Sequence, residues 1–123
     1  MPKQVLIVDD NLMVRKGLRC LFDSAREFEV CGEAVDGPDA IEKTRLLKPD
    51  MIVLDFSMPG MNGLESARAL NSLRPSATIL LFTMHRDAVV DAEARAAGIR
   101  AVVSKSEGAS TLISQAQLLM GTS

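Results

Sequence analysis

Five short apolar runs, separated by stretches with helical spacing, constrain the fold of this 123-residue chain more than any other feature. They are expected as strands at residues 3–8, 28–34, 51–54, 77–82 and 101–104, the second being the weakest. A continuously apolar strand has no solvent face, so it needs cover on both sides. The intervening segments supply it. Residues 12–25 carry Val14, Leu18, Leu21, Phe22 and Ala25 at helical spacing, with Asn11 placed to cap them. Residues 38–47 follow an Asp36-Gly37-Pro38 turn, point Ala40, Ile41 and Leu47 inward, and stop at Lys48-Pro49. Helices are expected at 64–73, at an Ala-rich 87–97 with Gly98 as C-cap, and at 109–120 with Leu112, Ile113, Ala116 and Leu119 on one face. The pattern predicts one α/β domain, a parallel sheet with helices on both faces and no internal linker or repeat.

In such a sheet, ligands bind beyond the carboxyl ends of the strands. Four runs end in polar residues there: Asp9 and Asp10, Asp55, Thr83, and Lys105 after Ser104. Each has an ordinary alternative reading. Acids before a helix favour its N-terminus, Asp55 can be a turn residue, Thr83 can pack, and Lys105 can be a surface charge. Together they form a chemical set. Adjacent carboxylates repel unless a cation sits among them. Magnesium suits oxygen ligands from one or two carboxylates, with water and phosphate completing its shell. A carboxylate can then attack phosphorus and become an acyl phosphate. The ammonium neutralises phosphoryl charge, and the Thr83 hydroxyl follows a phosphoryl oxygen, moving the adjacent loop.

The net charge of −2 and pI near 5.4 give no basic footprint for direct nucleic-acid binding. Cys20 and Cys31 lack metal-ligand spacing and are expected to be free, mostly buried thiols. No run approaches the roughly 20 apolar residues of a membrane span. The start of the chain lacks signal-peptide organisation, so a cytoplasmic location is expected.

These residues resemble the receiver domain of two-component response regulators. The matching segments are Val5–Asn11, Pro49–Asp55, Met58–Glu65 and Lys105. The details are most similar to the NarL/FixJ subfamily, whose output is usually a LuxR-type helix-turn-helix. The resemblance implies a flavodoxin-like, doubly wound (βα)5 fold with strand order 2-1-3-4-5. It implies Asp55 as phosphoacceptor, with Thr83 as switch hydroxyl and Lys105 as the phosphoryl partner. It implies Mg2+ held by Asp9, Asp10, Asp55 and the backbone carbonyl of Ser57, with Asp10 the direct ligand and Asp9 acting largely through water. It implies a histidine kinase or phosphotransfer protein as donor and leaves room for a homodimer on phosphorylation. The chain is read as a signalling switch rather than a turnover enzyme. Residues 1–123 are expected to be one receiver unit, with no output domain and therefore no direct contact with DNA.

Two positions depart from the family's usual pattern. Val102 stands where a switch aromatic is common, and Ser106 stands where Pro often follows the lysine. No DNA-binding segment is expected after the last helix, so the chain is read as either a stand-alone receiver or an isolated domain of a longer regulator. His85 is either a surface loop residue or a tuner of phosphoryl lifetime, beside Ser57 on the path of hydrolytic water. Two rival readings are weighed. A haloacid-dehalogenase-type phosphatase requires a second Asp two residues after the nucleophile, where this chain has Ser57. A receiver used as a phosphorylation-independent binding module is left open by Val102.

Overall fold

The computed structural model describes residues 1–121. The elements are β1 (Lys3–Val8), α1 (Leu12–Asp23), β2 (Phe28–Ala34), α2 (Gly37–Leu47), β3 (Met51–Leu54), α3 (Gly63–Leu73), β4 (Thr78–Thr83), α4 (Asp91–Ala96), β5 (Ile99–Ser104) and α5 (Ala109–Met120). All strand pairs are parallel, in the order β2-β1-β3-β4-β5. The predicted flavodoxin-like order is therefore observed.

Alternation along the central strands sorts side chains between two cores. Val5, Ile7, Met51, Val53, Leu80, Phe82 and Val103 meet Leu18 and Phe22 of α1 and Leu112 and Ala116 of α5. Leu6, Val8, Ile52, Leu54, Ile79 and Leu81 meet Ala40 of α2, Ala67 and Leu70 of α3, and Ala94 of α4. Phe22 packs edge-on against Phe28, with ring centroids 5.2 Å apart. With strands covered on both faces, the remaining place for chemistry is the rim where they end.

Four expectations need correction. The helix expected at 87–97 is only Asp91–Ala96. Val89 is buried and Val90 is extended, so this β-branched pair works as an anchored strap rather than a first helical turn. A separate 3-10 turn holds Arg86–Ala88. β5 starts two residues early, because Ile99 pairs with Ile79 and a register shift leaves Arg100 as the extra, exposed residue. In α2, Leu47 is 39 % exposed, whereas Thr44 is 1 % exposed and faces the core. The thiols are also misjudged: Cys20 is exposed and Cys31 half-buried. α1 turns Cys20 outward, beside the inward Leu18 and Phe22. Gly98 does take the left-handed turn after α4, at φ +92°.

Candidate functional site

Because β1 and β3 are neighbours, Val8 pairs with Leu54 and the next residues emerge side by side. Pairing continues past the strands: the Asp55 N–H donates to the Val8 carbonyl at 3.0 Å and the Asp9 N–H to the Ala34 carbonyl at 3.0 Å. Asp9 and Asp55 are thereby carried into a nearly closed position, 2 % and 6 % exposed. Buried carboxylates need compensation. Lys105 supplies it from the end of β5, its Nζ 2.8 Å from Asp9 Oδ2 and 3.6 Å from Asp55 Oδ1. The ammonium also stands 6.0 Å from the Phe82 ring centroid.

The turn into α1 orients the acids. Asp9 Oδ1 accepts the Asn11 N–H at 2.9 Å. Asn11 Oδ1 in turn accepts the N–H groups of Met13 and Val14, capping α1 as predicted. Asp10 is exposed, and its carboxylate has no hydrogen-bond partner among the described residues. One feature of this turn escaped the sequence reading. Arg15 Nη1 donates to the backbone carbonyl of Asp9 at 2.8 Å, while its Nε binds Glu33 of β2 at 3.0 Å. The available signal was Arg15 and Arg19 four residues apart on one helix face.

Burial pushes the Asp55 carboxyl up from 3.8 to about 6, and the Asp9 charge adds to the rise. Lys105 and a backbone hydrogen bond from Ser57 oppose it, and Asp10 raises it slightly. The loop after Asp55 is held shut at its far end. The Gly63 N–H donates to the Phe56 carbonyl at 2.7 Å. A Cβ on Gly63 would lie 2.6 Å from the Phe56 Cα and 2.8 Å from the Asp55 carbonyl oxygen. Only glycine permits that approach. Asn62 and Glu65 then form a reciprocal cap for α3.

Asp9, Asp10 and Asp55 can each offer one oxygen, all within 4.8 Å of one another. Three carboxylates against one ammonium leave a net negative nest of hard oxygen donors, which fits a small divalent cation. Ser57 is exposed in the loop beyond Asp55. Thr83 is fully buried at the end of β4, paired in register with Ser104 next to Lys105. Its Oγ1 accepts the His85 N–H at 2.9 Å. Among the described residues it makes no hydrogen bond to Asp55 or Lys105. His85 itself is exposed. Val102 is half-buried, packed against the α2–α4 side of the core.

A parallel α/β domain with this acidic nest and a bridging lysine at its strand ends defines a class. Residues 5–117 match the family model described as "Response regulator receiver domain", and the chain belongs to that family. It is 41 % identical over 98 residues to the nitrate/nitrite response regulator protein NarL of Escherichia coli K12, covering 78 % of this chain and 45 % of NarL. It is 34 % identical over 110 residues to the transcriptional regulatory protein LnrK of Bacillus subtilis 168, covering 89 % of this chain and 50 % of LnrK. The chain thus spans about half the length of these two relatives. A LuxR-family two-component response regulator from Aurantimonas sp. SI85-9A1 superposes with TM-score 0.89 at 31 % identity, over 98 % of this chain and 86 % of that one. No helix among the described residues is long and apolar enough to cross a membrane.

Proposed function

We propose that this chain is a phosphorylation-driven switch in which Asp55 accepts a phosphoryl group from a phosphohistidine of a kinase or phosphotransfer partner. The observation that carries this reading is the Lys105 ammonium between the buried Asp9 and Asp55 carboxylates, beside an open Asp10. An ionised Asp55 oxygen attacks phosphorus, the P–N bond to the donor imidazole breaks, and the imidazole keeps the bonding electron pair. Lys105 is 3.6 Å from the Asp55 oxygen in the unphosphorylated state, near enough to swing onto a phosphoryl oxygen. Magnesium, held by Asp9, Asp10, Asp55 and the Ser57 carbonyl, would neutralise the remaining phosphoryl charge.

Thr83 then trades its contact with the His85 N–H for one to the phosphoryl group, pulling on the strap of residues 84–90. Because that N–H anchors the loop to Thr83, His85 is placed to influence both loop position and phosphoryl lifetime. The product is a conformational change rather than a released compound, so the chain acts as a switch. Its output reaches a cytoplasmic partner, a second copy, or a transcriptional domain that contacts DNA. Residues 1–123 form the receiver unit in this reading.

Intact-protein mass after incubation with magnesium and a small-molecule phosphodonor tests the proposal. One added phosphoryl group is expected, absent in Asp55→Asn and absent when magnesium is chelated. A folded protein that gains none from the phosphodonor or from phosphorylated histidine kinases would instead favour a phosphorylation-independent binding module. The half-buried Val102 gives that second reading its footing.

A further inference from the structure

The exposed Asp10 carboxylate belongs to the acidic nest and has no hydrogen-bond or ion-pair partner among the described residues. What the fold can fix is the backbone that carries it. The carbonyl oxygen of Asp9 belongs to the planar peptide that joins Asp9 to Asp10. Fixing that oxygen fixes the plane from which the Asp10 side chain departs. Arg15 does this, donating from Nη1 at 2.8 Å.

The guanidinium is itself clamped. Its Nε is 3.0 Å from Glu33 Oε1, and the Arg15 side chain is 12 % exposed. Glu33 Oε2 binds Arg19 at 2.8 Å. The Glu33 backbone carbonyl accepts Lys43 Nζ from α2 at 2.7 Å. Despite the opposing effect of partial burial, hydrogen bonds from Arg19 and Arg15 hold the Glu33 carboxyl below its ordinary value, so it stays ionised at neutral pH. The planar fork of arginine suits this double duty, since it presents several donors in fixed relation. Among the described residues Arg19 hydrogen-bonds Glu33 and makes no hydrogen bond to the acidic turn.

We propose that Arg15, oriented by Glu33, is a positioning residue that sets the affinity of the acidic nest for its divalent cation by fixing the Asp9–Asp10 peptide. The inference rests on the cation reading of Asp9, Asp10 and Asp55. It predicts an effect of Arg15 on cation binding that its ion pair with Glu33 alone would not produce. A partner of a ligand can weaken binding without touching the ion.

The test is a magnesium titration of the folded protein followed by amide chemical shifts, which reads binding without phosphorylation. Wild type is compared with Arg15→Met, Arg19→Met and Glu33→Gln. In Arg15→Met the magnesium Kd is expected to rise about tenfold, the low end of what outer partners of metal ligands contribute. Arg19→Met, which leaves the Asp9 carbonyl bonded, is expected within about twofold of wild type by the same reasoning. Glu33→Gln keeps the side-chain shape while loosening the clamp, and is expected to fall between them. If Arg15→Met does not fold, Glu33→Gln decides the matter. Arg15→Met and Glu33→Gln both binding like wild type would overturn the proposal, as would Arg19→Met weakening binding as much as Arg15→Met. A wild type without saturable magnesium shifts at Asp10 would instead overturn the cation reading beneath it.

Discussion

Replacing Asp55 by Asn removes a charge that the fold holds at a cost, so the variant is expected to be more stable than wild type in magnesium-free buffer. Asp55 is 6 % exposed and lies beside Asp9, and its carboxyl is pushed up from 3.8 to about 6. Each tenfold change in an ionisation equilibrium is worth about 1.4 kcal/mol, so the ionised form is disfavoured in the native state by about 3 kcal/mol. The sign follows from proton counting. Between pH 3.8 and about 6 the native state binds more protons than the unfolded chain, so stability falls as pH rises. The cost is fully present above pH 6 and absent below the unfolded value. Asn forgoes part of the compensation from Lys105, which lowers the expected gain to about 1–3 kcal/mol at pH 8. At pH 5 the gain is expected to shrink to about half, because the native carboxyl is then mostly protonated. Urea unfolding of both proteins at pH 5, 6, 7 and 8, with chelator present, measures the difference directly. The other titrating groups are shared and cancel to first order. A variant no more stable than wild type at pH 8, or a gain that does not depend on pH, would refute the reasoning.

Lys105→Met leaves Asp9 and Asp55 without their shared cation, and is expected to destabilise the magnesium-free protein by about 2–4 kcal/mol at neutral pH. Denaturant midpoints check this, and a loss under about 0.5 kcal/mol, typical of surface changes, would contradict it. Gly63→Ala places a methyl group against backbone atoms of Phe56 and Asp55 that cannot rotate away. A loss of about 2 kcal/mol or more is expected, accompanied by amide shift changes at Asp55 that an unaltered loop would not show.

The two cores show why so much of the fold was legible. Runs such as Val5–Val8 and Met51–Leu54 are apolar at every position, and that local pattern already demands cover on both faces. Caps are equally local. Asn11 bonds the N–H groups of Met13 and Val14, two and three residues ahead, so its residue type and place before the helix reveal the cap. Where competing local signals met, the reading failed. Residues 87–97 are rich in good helix formers, yet burying Val89 outweighed their propensity and shortened α4. Hydropathy ranks Leu47 as an inner residue of α2, whereas the face packed on the sheet brings Thr44 inside and leaves Leu47 39 % exposed.

Sequence alone placed Asp9, Asp10, Asp55, Thr83 and Lys105 at strand ends, because strand periodicity and the parallel rule are properties of short segments. Only the tertiary structure decided how these residues meet. Lys105 and Asp9 are 96 positions apart, and their 2.8 Å contact depends on β5 and β1 being ordered around β3 and β4. The rise of the Asp55 carboxyl to about 6 comes from burial and a neighbouring charge that no local window contains. The grip of Arg15 on the Asp9 carbonyl depends on β2 lying beside β1 and bringing Glu33 under α1. Periodicity is written into consecutive residues, whereas distances between charges are set by how the elements pack.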